Sequence, residues 1–138
     1  MLRVNKKMEY GIIALLHLSE EPQKVASVRE ISGTCHIPEA LLSKVMQLMK
    51  NAGMVKVTHG NHGGYQLNRD LSQISLLDVS QVLVGPVQLT ECLEPGNNDC
   101  PVRQGCRLVT PMAALNQKLI DMFQGTSLES IAAQRFAL

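Results

Sequence analysis

Residues 27–67 carry the pattern that most restricts how this chain can fold. Ser27, with an acidic residue three positions later, matches a capping box and predicts that a short helix begins there. The Gly-Thr-Cys-His segment 33–36 predicts a turn, and a second helix is expected from Pro38 onward. Two short strands should flank the glycine-rich segment 59–64. This order of elements predicts a winged helix-turn-helix.

The second helix of this unit is predicted to have an apolar inner face and a polar outer face. The inward positions at helical spacing are Leu42, Val45, Met49 and Ala52. Ser43, Lys44 and Gln47 fall on the opposite face. In DNA-reading helix-turn-helix units the second helix enters the major groove, so these three are candidate DNA contacts. A generic helical hairpin is the alternative interpretation.

Positive charge is concentrated in this unit although the formal net charge of the chain is only +1. Residues 41–69 contain four Lys or Arg and no acid, whereas residues 70–102 contain five acids and no Lys or Arg. Attraction to DNA depends on where the positive charge lies, so the basic segment predicts a nucleic-acid partner. At the predicted wing tip, His59, Asn61 and His62 are candidate contacts, although solvent-exposed loop histidines are an equally simple interpretation.

Helical patterns flank the winged unit on both sides. We expect helices at residues 8–19 and 75–84, and a long helix from Thr110 to Gln124 with Met112, Leu115, Leu119 and Met122 along one apolar stripe. Such a stripe suits packing against a second helix, and two-fold DNA readers need a subunit contact, so this helix is predicted to mediate homodimerisation. The predicted fold is mainly α with a small β-hairpin.

Three segments are predicted to divide the chain by role. Residues 1–84 form a DNA-binding domain, residues 85–108 form a cysteine-rich loop, and residues 109–138 contain the dimerisation helix and a last short helix. No apolar run is long enough to span a membrane, and the N-terminus lacks a signal-peptide pattern, so a cytoplasmic protein is expected. No catalytic constellation stands out, which argues against an enzyme.

Cys92, Cys100 and Cys106 lie within one short loop rich in glycine, asparagine and proline. In a reducing compartment, clustered thiols point to metal or redox chemistry rather than to disulfides. The intervals between them are wider than the close cysteine pairs of structural zinc sites and suit a larger iron–sulfur cluster. Zinc binding, thiol redox chemistry and an incidental cluster of cysteines remain alternatives. Cys35 is predicted to be a small buried packing residue in the turn of the helix-turn-helix.

The chain resembles the iron–sulfur-sensing winged-helix regulators that include IscR and NsrR, particularly those controlling SUF cluster-assembly operons. The matching segments are MLRVNKKMEYG at the start, KNAGMV after the second helix, GNHGGYQL in the wing, GPVQLTEC before the loop, and Cys100 and Cys106. The resemblance covers residues 1 to about 131. It implies a homodimeric transcriptional regulator, a repressor, that binds a double-stranded operator and holds a [2Fe–2S] or [4Fe–4S] cluster in each subunit.

The resemblance also implies roles for particular residues. Some members carry a histidine ligand three positions after the last cysteine, but Val109 occupies that position here. Other members use an acidic residue near the N-terminus of the partner subunit, and Glu9 lies at the matching position. His59 replaces the arginine that IscR-like wings carry. The implied cluster ligands are therefore Cys92, Cys100, Cys106 and, from the partner subunit, Glu9; a first-turn helix acid is the alternative role for Glu9.

The functional expectation is a regulator of iron–sulfur assembly genes that responds to iron–sulfur or redox status. Two alternatives share the fold. One is a nitric-oxide sensor using the same cluster, and the other is a clusterless regulator that acts through its thiols or through a partner protein.

Overall fold

The computed structural model describes residues 2–134, within which there are six α-helices and one two-stranded antiparallel sheet. The elements are α1 (Lys6–Glu20), α2 (Val28–Cys35), α3 (Glu39–Asn51), β1 (Val55–Thr58), β2 (Gly64–Leu67), a 3-10 helix (Leu71–Gln73), α4 (Leu76–Leu83), a second 3-10 helix (Glu91–Leu93), α5 (Val109–Gln124) and α6 (Leu128–Ala132). The predicted mainly helical fold with one small hairpin is confirmed. The last four residues of the predicted segment 109–138 lie outside the described residues.

Side-chain caps fix the starts of most helices. Asn5 accepts a hydrogen bond from the Lys7 N–H at 2.8 Å at the start of α1, and Ser27 accepts from the Glu30 N–H at 3.1 Å at the start of α2. The full reciprocal capping box forms at α4, where Ser75 and Asp78 exchange both bonds. Each such bond pairs an N–H that the helix itself leaves unsatisfied.

The core forms where α1 packs against both α3 and α4. At Gly11 of α1, an added Cβ would lie 2.3 Å from Cδ1 of Leu83 on α4 and 3.5 Å from side-chain atoms of Val45 and Met49 on α3. The missing side chain therefore lets three helices approach one another closely. Leu15, one turn further along α1, is fully buried in the same core.

The wing is anchored to the helical core on its inner side. β1 and β2 pair from Val55 opposite Leu67 to Thr58 opposite Gly64, and Tyr65 also exchanges two backbone hydrogen bonds with Ala26, at 2.7 and 2.9 Å. A Cβ on Gly64 would lie 2.5 Å from the Ala26 backbone. This glycine of the wing is therefore required for packing within the chain.

The turn of the helix-turn-helix starts later than predicted. Gly33 lies inside α2, which continues to Cys35, and the chain turns at His36, whose φ of 57° is in the left-handed region. The Ile37 N–H bonds to the Ser32 carbonyl at 3.2 Å across this turn. Side chains other than glycine rarely adopt this conformation, so the sequence pattern favoured Gly33 as the turn.

Two further expectations about helix positions are corrected. Ala52 is predicted to face inward, but it is the exposed residue that follows α3, and Met46 is the additional buried residue of that helix. The long helix begins at Val109 rather than at a Thr110 cap, because Leu108 already has helical dihedral angles. Pro111 still lies within the first turn, where a missing N–H costs no internal hydrogen bond.

The C-terminal helix returns to the first core. Leu128 of α6 is fully buried among the apolar residues of α1 to α4, and its N–H bonds to the Ile74 carbonyl at 2.9 Å. The Leu76 N–H in turn bonds to the Thr126 carbonyl at 2.8 Å. α5 therefore leaves the core and α6 rejoins it. Within residues 2–134, no helix combines the length and apolarity needed to cross a membrane.

Gly64→Ala should destabilise the protein because its methyl group would overlap the Ala26 backbone, which cannot move without breaking two hydrogen bonds. We expect a loss of about 2 kcal/mol or more in the free energy of unfolding, measured by urea denaturation. Gly33→Ala is the matched control: a Cβ there meets nothing within 4 Å, and alanine suits a helix better, so stability should be unchanged or rise. Equal effects of the two substitutions would contradict the packing role of Gly64.

Candidate functional site

The outer face of α3 presents the three residues predicted to contact DNA. Ser43, Lys44 and Gln47 line one shallow surface depression together with Lys7 of α1 and Leu48 of α3. Lys44 and Gln47 are exposed, and Ser43 is partly exposed. Sequence reasoning missed Lys7 and Leu48 as members of this surface, because nothing in a linear pattern places the start of α1 beside α3.

The wing tip carries the other three candidates. His59, Asn61 and His62 are all exposed, in the turn between β1 and β2. The Gly63 N–H bonds to the Gly60 carbonyl at 3.1 Å and closes this turn. A short exposed hairpin of this kind follows the second helix in winged-helix proteins, so its tip and the outer face of α3 form the candidate nucleic-acid interface.

The loop between α4 and α5 carries the three clustered cysteines. Cys92 lies in the 3-10 helix Glu91–Leu93, where its Sγ is 3.1 Å from Oγ1 of Thr90. The Arg103 guanidinium donates to the carbonyl of Cys92 at 3.4 Å and to that of Asn97 at 3.1 Å. Arg103 therefore ties the second half of the loop to the first.

Cys100 and Cys106 are linked through the backbone of the same arginine. The Arg103 N–H bonds to the Cys100 carbonyl at 3.2 Å, and the Cys106 N–H bonds to the Arg103 carbonyl at 3.3 Å. Two consecutive turns thus connect the second and third cysteines. No sequence pattern indicates this role of Arg103, which appears only as a base after an acidic segment.

The cysteine set suits a thiophilic metal or cluster in its chemistry but is not gathered into a site. All four cysteines are free thiols and partly exposed, so the loop offers soft sulfur ligands. In the part of the chain that is described, no three His, Cys, Asp or Glu side chains come together as metal ligands. The structure therefore does not assemble Cys92, Cys100, Cys106 and Glu9 within one chain. Metal binding would have to order the loop further, which couples binding to folding.

Glu9 lies on the first turn of α1. Among the described residues of the same chain, it does not come together with two other side chains that could bind a metal ion. Its carboxylate accepts a hydrogen bond from Lys6 Nζ at 2.8 Å. This is a surface ion pair between residues three positions apart, which stabilises the protein little. The Glu9 carboxylate can therefore leave Lys6 and bind another partner at a small cost in free energy.

Cys35 lies apart from the loop and packs partly against the core. Burial raises the pKa of its thiol above the usual value, and the Glu20 carboxylate adds to the rise. Because the thiolate is the reactive form, Cys35 is poorly suited to ligation or redox chemistry at neutral pH. Its predicted role as a small packing residue agrees with this environment.

These features define the chain as a winged helix-turn-helix protein with a cysteine loop inserted before its longest helix. The profile of the Rrf2 family, described as iron-dependent transcriptional regulators, matches residues 4–134, and the chain belongs to this family. It is therefore a transcriptional regulator and not an enzyme, as the sequence predicted.

Individual relatives are similar to this chain over most or nearly all of its length. The structure of CymR, the global cysteine regulator of B. subtilis, is 27% identical, covers 97% of this chain and 98% of its own, and has a TM-score of 0.75. T. potens IscR is 20% identical with a TM-score of 0.74, covering 99% of this chain and 93% of its own, and shows the fold alone. NsrR of Shouchella clausii is 25% identical over 108 residues, 78% of this chain and 72% of its own.

The raised pKa of Cys35 predicts slow alkylation. In a Cys92→Ser/Cys100→Ser/Cys106→Ser variant, Cys35 should react with iodoacetamide more slowly at pH 7.5 than free cysteine does, because less of it is thiolate. Its rate should keep rising above the pH at which the free amino acid levels off. Mass spectrometry of timed samples measures both. A rate at pH 7.5 equal to that of free cysteine would show that the local environment does not raise the pKa of the Cys35 thiol.

Proposed function

We propose that this protein is a homodimeric repressor that binds a double-stranded operator and senses iron–sulfur or redox status through a [2Fe–2S] or [4Fe–4S] cluster. Its target genes are those for iron–sulfur assembly. Residues 1–84 read DNA, residues 85–108 hold the cluster, and the segment from residue 109 onward joins the subunits. The observation that carries the sensing proposal is the three free, partly exposed thiols in one loop between α4 and α5.

Operator recognition is assigned to α3 and the wing. Ser43, Lys44 and Gln47 suit contacts to base edges and phosphates in the major groove, where lysine and glutamine side chains discriminate between base pairs. The two ion pairs found among residues 2–134 do not involve Lys44, so its charge is available to a phosphate or a guanine. His59, Asn61 and His62 are placed to contact the adjacent backbone or minor groove.

The dimer contact is assigned to α5. Leu108, Leu115 and Met122 follow one another at intervals of seven residues, and they are 58%, 51% and 56% exposed. A repeat of seven brings these side chains to one face of the helix, as in helices that pair with a second copy. Met112 and Leu119, which the sequence placed in the same stripe, are already half-buried within the chain. A second α5 is the occupant that this exposed face fits best.

Cluster binding is assigned to Cys92, Cys100 and Cys106, with Glu9 of the partner subunit as the fourth ligand. A bound cluster would supply iron–thiolate bonds that change with oxidation, loss of iron or reaction with nitric oxide. The chain's own part is to gather the loop around three thiolates, helped by the turns at Arg103. A ligand from the partner would couple the conformation of this loop to the relative position of the two subunits. It would therefore also change the spacing between the two DNA-binding domains.

A clusterless thiol regulator is the second candidate. Two observations favour it: the likeness to CymR, a cysteine regulator, extends over 97% of the chain, and the thiols are not gathered in the single subunit. A nitric-oxide sensor, as NsrR-like relatives suggest, would use the same cluster and differ only in the signal. Measurements on the metal content distinguish the first candidate from the second.

Replacing the α3 side chains should weaken operator binding. We expect Lys44→Ala/Gln47→Ala to lower affinity by about ten-fold or more and to reduce discrimination between operator and unrelated DNA, since base-edge contacts are worth roughly 1–3 kcal/mol each. Fluorescence anisotropy with an operator selected from random sequence measures both quantities. Lys24→Ala, which removes an exposed charge outside α3, the wing and α5, is the matched control and should bind normally. Full affinity and selectivity in the double variant would place recognition elsewhere.

Cluster binding is tested on protein purified without oxygen. The visible absorption spectrum, with iron and acid-labile sulfide measured on the same sample, should show broad charge-transfer bands and similar amounts of iron and sulfide. Cys100→Ser should abolish the bands, whereas Cys35→Ser, the matched control, should retain them. Glu9→Ala should leave the three thiolate ligands and make the cluster more labile to oxygen.

The outcomes separate the candidates. Colourless protein that stays colourless after reconstitution with iron and sulfide would reject cluster sensing and leave the clusterless thiol regulator. A cluster whose spectrum and oxygen lability are unchanged in Glu9→Ala would exclude only the carboxylate ligand.

A further inference from the structure

Asn116 is a buried polar side chain in the middle of α5. The residue is 9% exposed, and the other residues of α5 are more exposed. Its Oδ1 accepts a hydrogen bond from the Leu89 N–H at 2.9 Å, and its Nδ2 donates to the Val87 carbonyl at 3.0 Å. One amide side chain thus pairs with two peptide groups of a distant segment, in the manner of a neighbouring β-strand.

The segment that Asn116 holds leads directly into the first cysteine. It follows Gly85, whose φ is 124°, and has no regular structure up to Thr90, after which the 3-10 helix Glu91–Leu93 contains Cys92. α5 also packs against the 3-10 helix that contains Cys92. The thiol therefore lies three residues beyond a peptide N–H that is fixed to α5.

Losing the two hydrogen bonds of the Asn116 amide would cost free energy. Asparagine is a poor helix former, and a buried amide is tolerated only when its donor and acceptor are paired. Removing the amide would leave the partly buried Val87 carbonyl and Leu89 N–H without these partners, which is costly as long as they are kept from water. The segment would then move away from α5 toward water. Asn116 is also adjacent in sequence to Leu115, which lies on the face of α5 assigned to the second subunit.

We propose that Asn116 is a positioning residue that fixes Cys92 relative to α5, so that a chemical change at the Cys92 sulfur alters the helix that joins the subunits. This inference deepens the proposed sensing function and rests on it for its biological meaning. The mechanical link itself requires only the chain described here and applies equally to a cluster ligand and to an oxidised or alkylated thiol. Arg103 holds the loop together internally, whereas Asn116 connects the loop to a helix outside it.

The first experiment measures position through thiol reactivity in metal-free, reduced protein. Asn116→Leu should raise the alkylation rate of Cys92 by iodoacetamide by about ten-fold, as expected when partly buried peptide groups lose their partner. Asn116→Asp, which keeps the acceptor for the Leu89 N–H and loses the donor, should give a smaller increase. Gln117→Ala is the matched control, because Gln117 is exposed and bonds only to Asp121 of its own helix, at 2.9 Å. It should react as the wild type does.

Selectivity among the cysteines separates positioning from simple loss of stability. General loosening of the fold would speed alkylation of Cys35, which packs against the core, as much as that of Cys92. The expected result is an increase at Cys92 with Cys35 unchanged. An equal increase at both, or no increase at Cys92 in either Asn116 variant, would overturn the proposal. The aspartate variant is close in shape to asparagine and keeps the test valid if Asn116→Leu does not fold.

The second experiment measures coupling to the helix. In a Cys35→Ser/Cys100→Ser/Cys106→Ser background, alkylation of Cys92 should increase hydrogen exchange of the α5 backbone several-fold when Asn116 is present. The same modification should have little effect on α5 in Asn116→Leu. Unchanged exchange in α5 after alkylation of the Asn116 protein would reject the link. Both experiments use metal-free protein. A finding that the protein binds no cluster would therefore reject the proposed cluster sensing, and the positioning role of Asn116 would still be decided by these two experiments.

Discussion

The close packing of α1 against α3 and α4 is the contact on which the rest of the structure depends. Gly11 makes this approach possible, because any side chain at that point would occupy the space of Leu83 and crowd Val45 and Met49. The helix that presents Lys44 and the helix that leads to the cysteine loop therefore both pack against one shared helix, and they also contact each other. Since packed interiors transmit displacements rather than absorb them, a shift of α4 cannot be isolated from α3.

Most of the elements were predictable from sequence because the signals that fix them are local. Ser75 and Asp78 lie three residues apart, and the hairpin strands are separated by a short glycine-rich turn. The errors fall where long-range packing overrides a local preference. His36 takes the left-handed conformation that the pattern favoured for Gly33, because α2 continues to Cys35 and the chain turns only after it.

The candidate site was predictable in chemistry but not in geometry. Residue type and helical spacing identified Ser43, Lys44 and Gln47, and their exposure agrees with a surface role. The cysteine spacing indicated soft ligands, but no spacing rule states whether a loop gathers its thiols before a metal arrives. Asn116 was invisible in the sequence, since its partners lie 27 and 29 positions away and a lone asparagine in an amphipathic helix resembles an exposed residue.

The burial of Leu128 has a consequence for the order of synthesis. The core that begins at Met8 has its side chains in place by Leu83, except for the leucine that α6 brings back from the end of the chain. Until the ribosome has made that residue, the core contains a gap, and filling such a gap with a leucine side chain is worth roughly 2–5 kcal/mol. A nascent chain therefore reaches full stability only after its cysteine loop and α5 have also been translated.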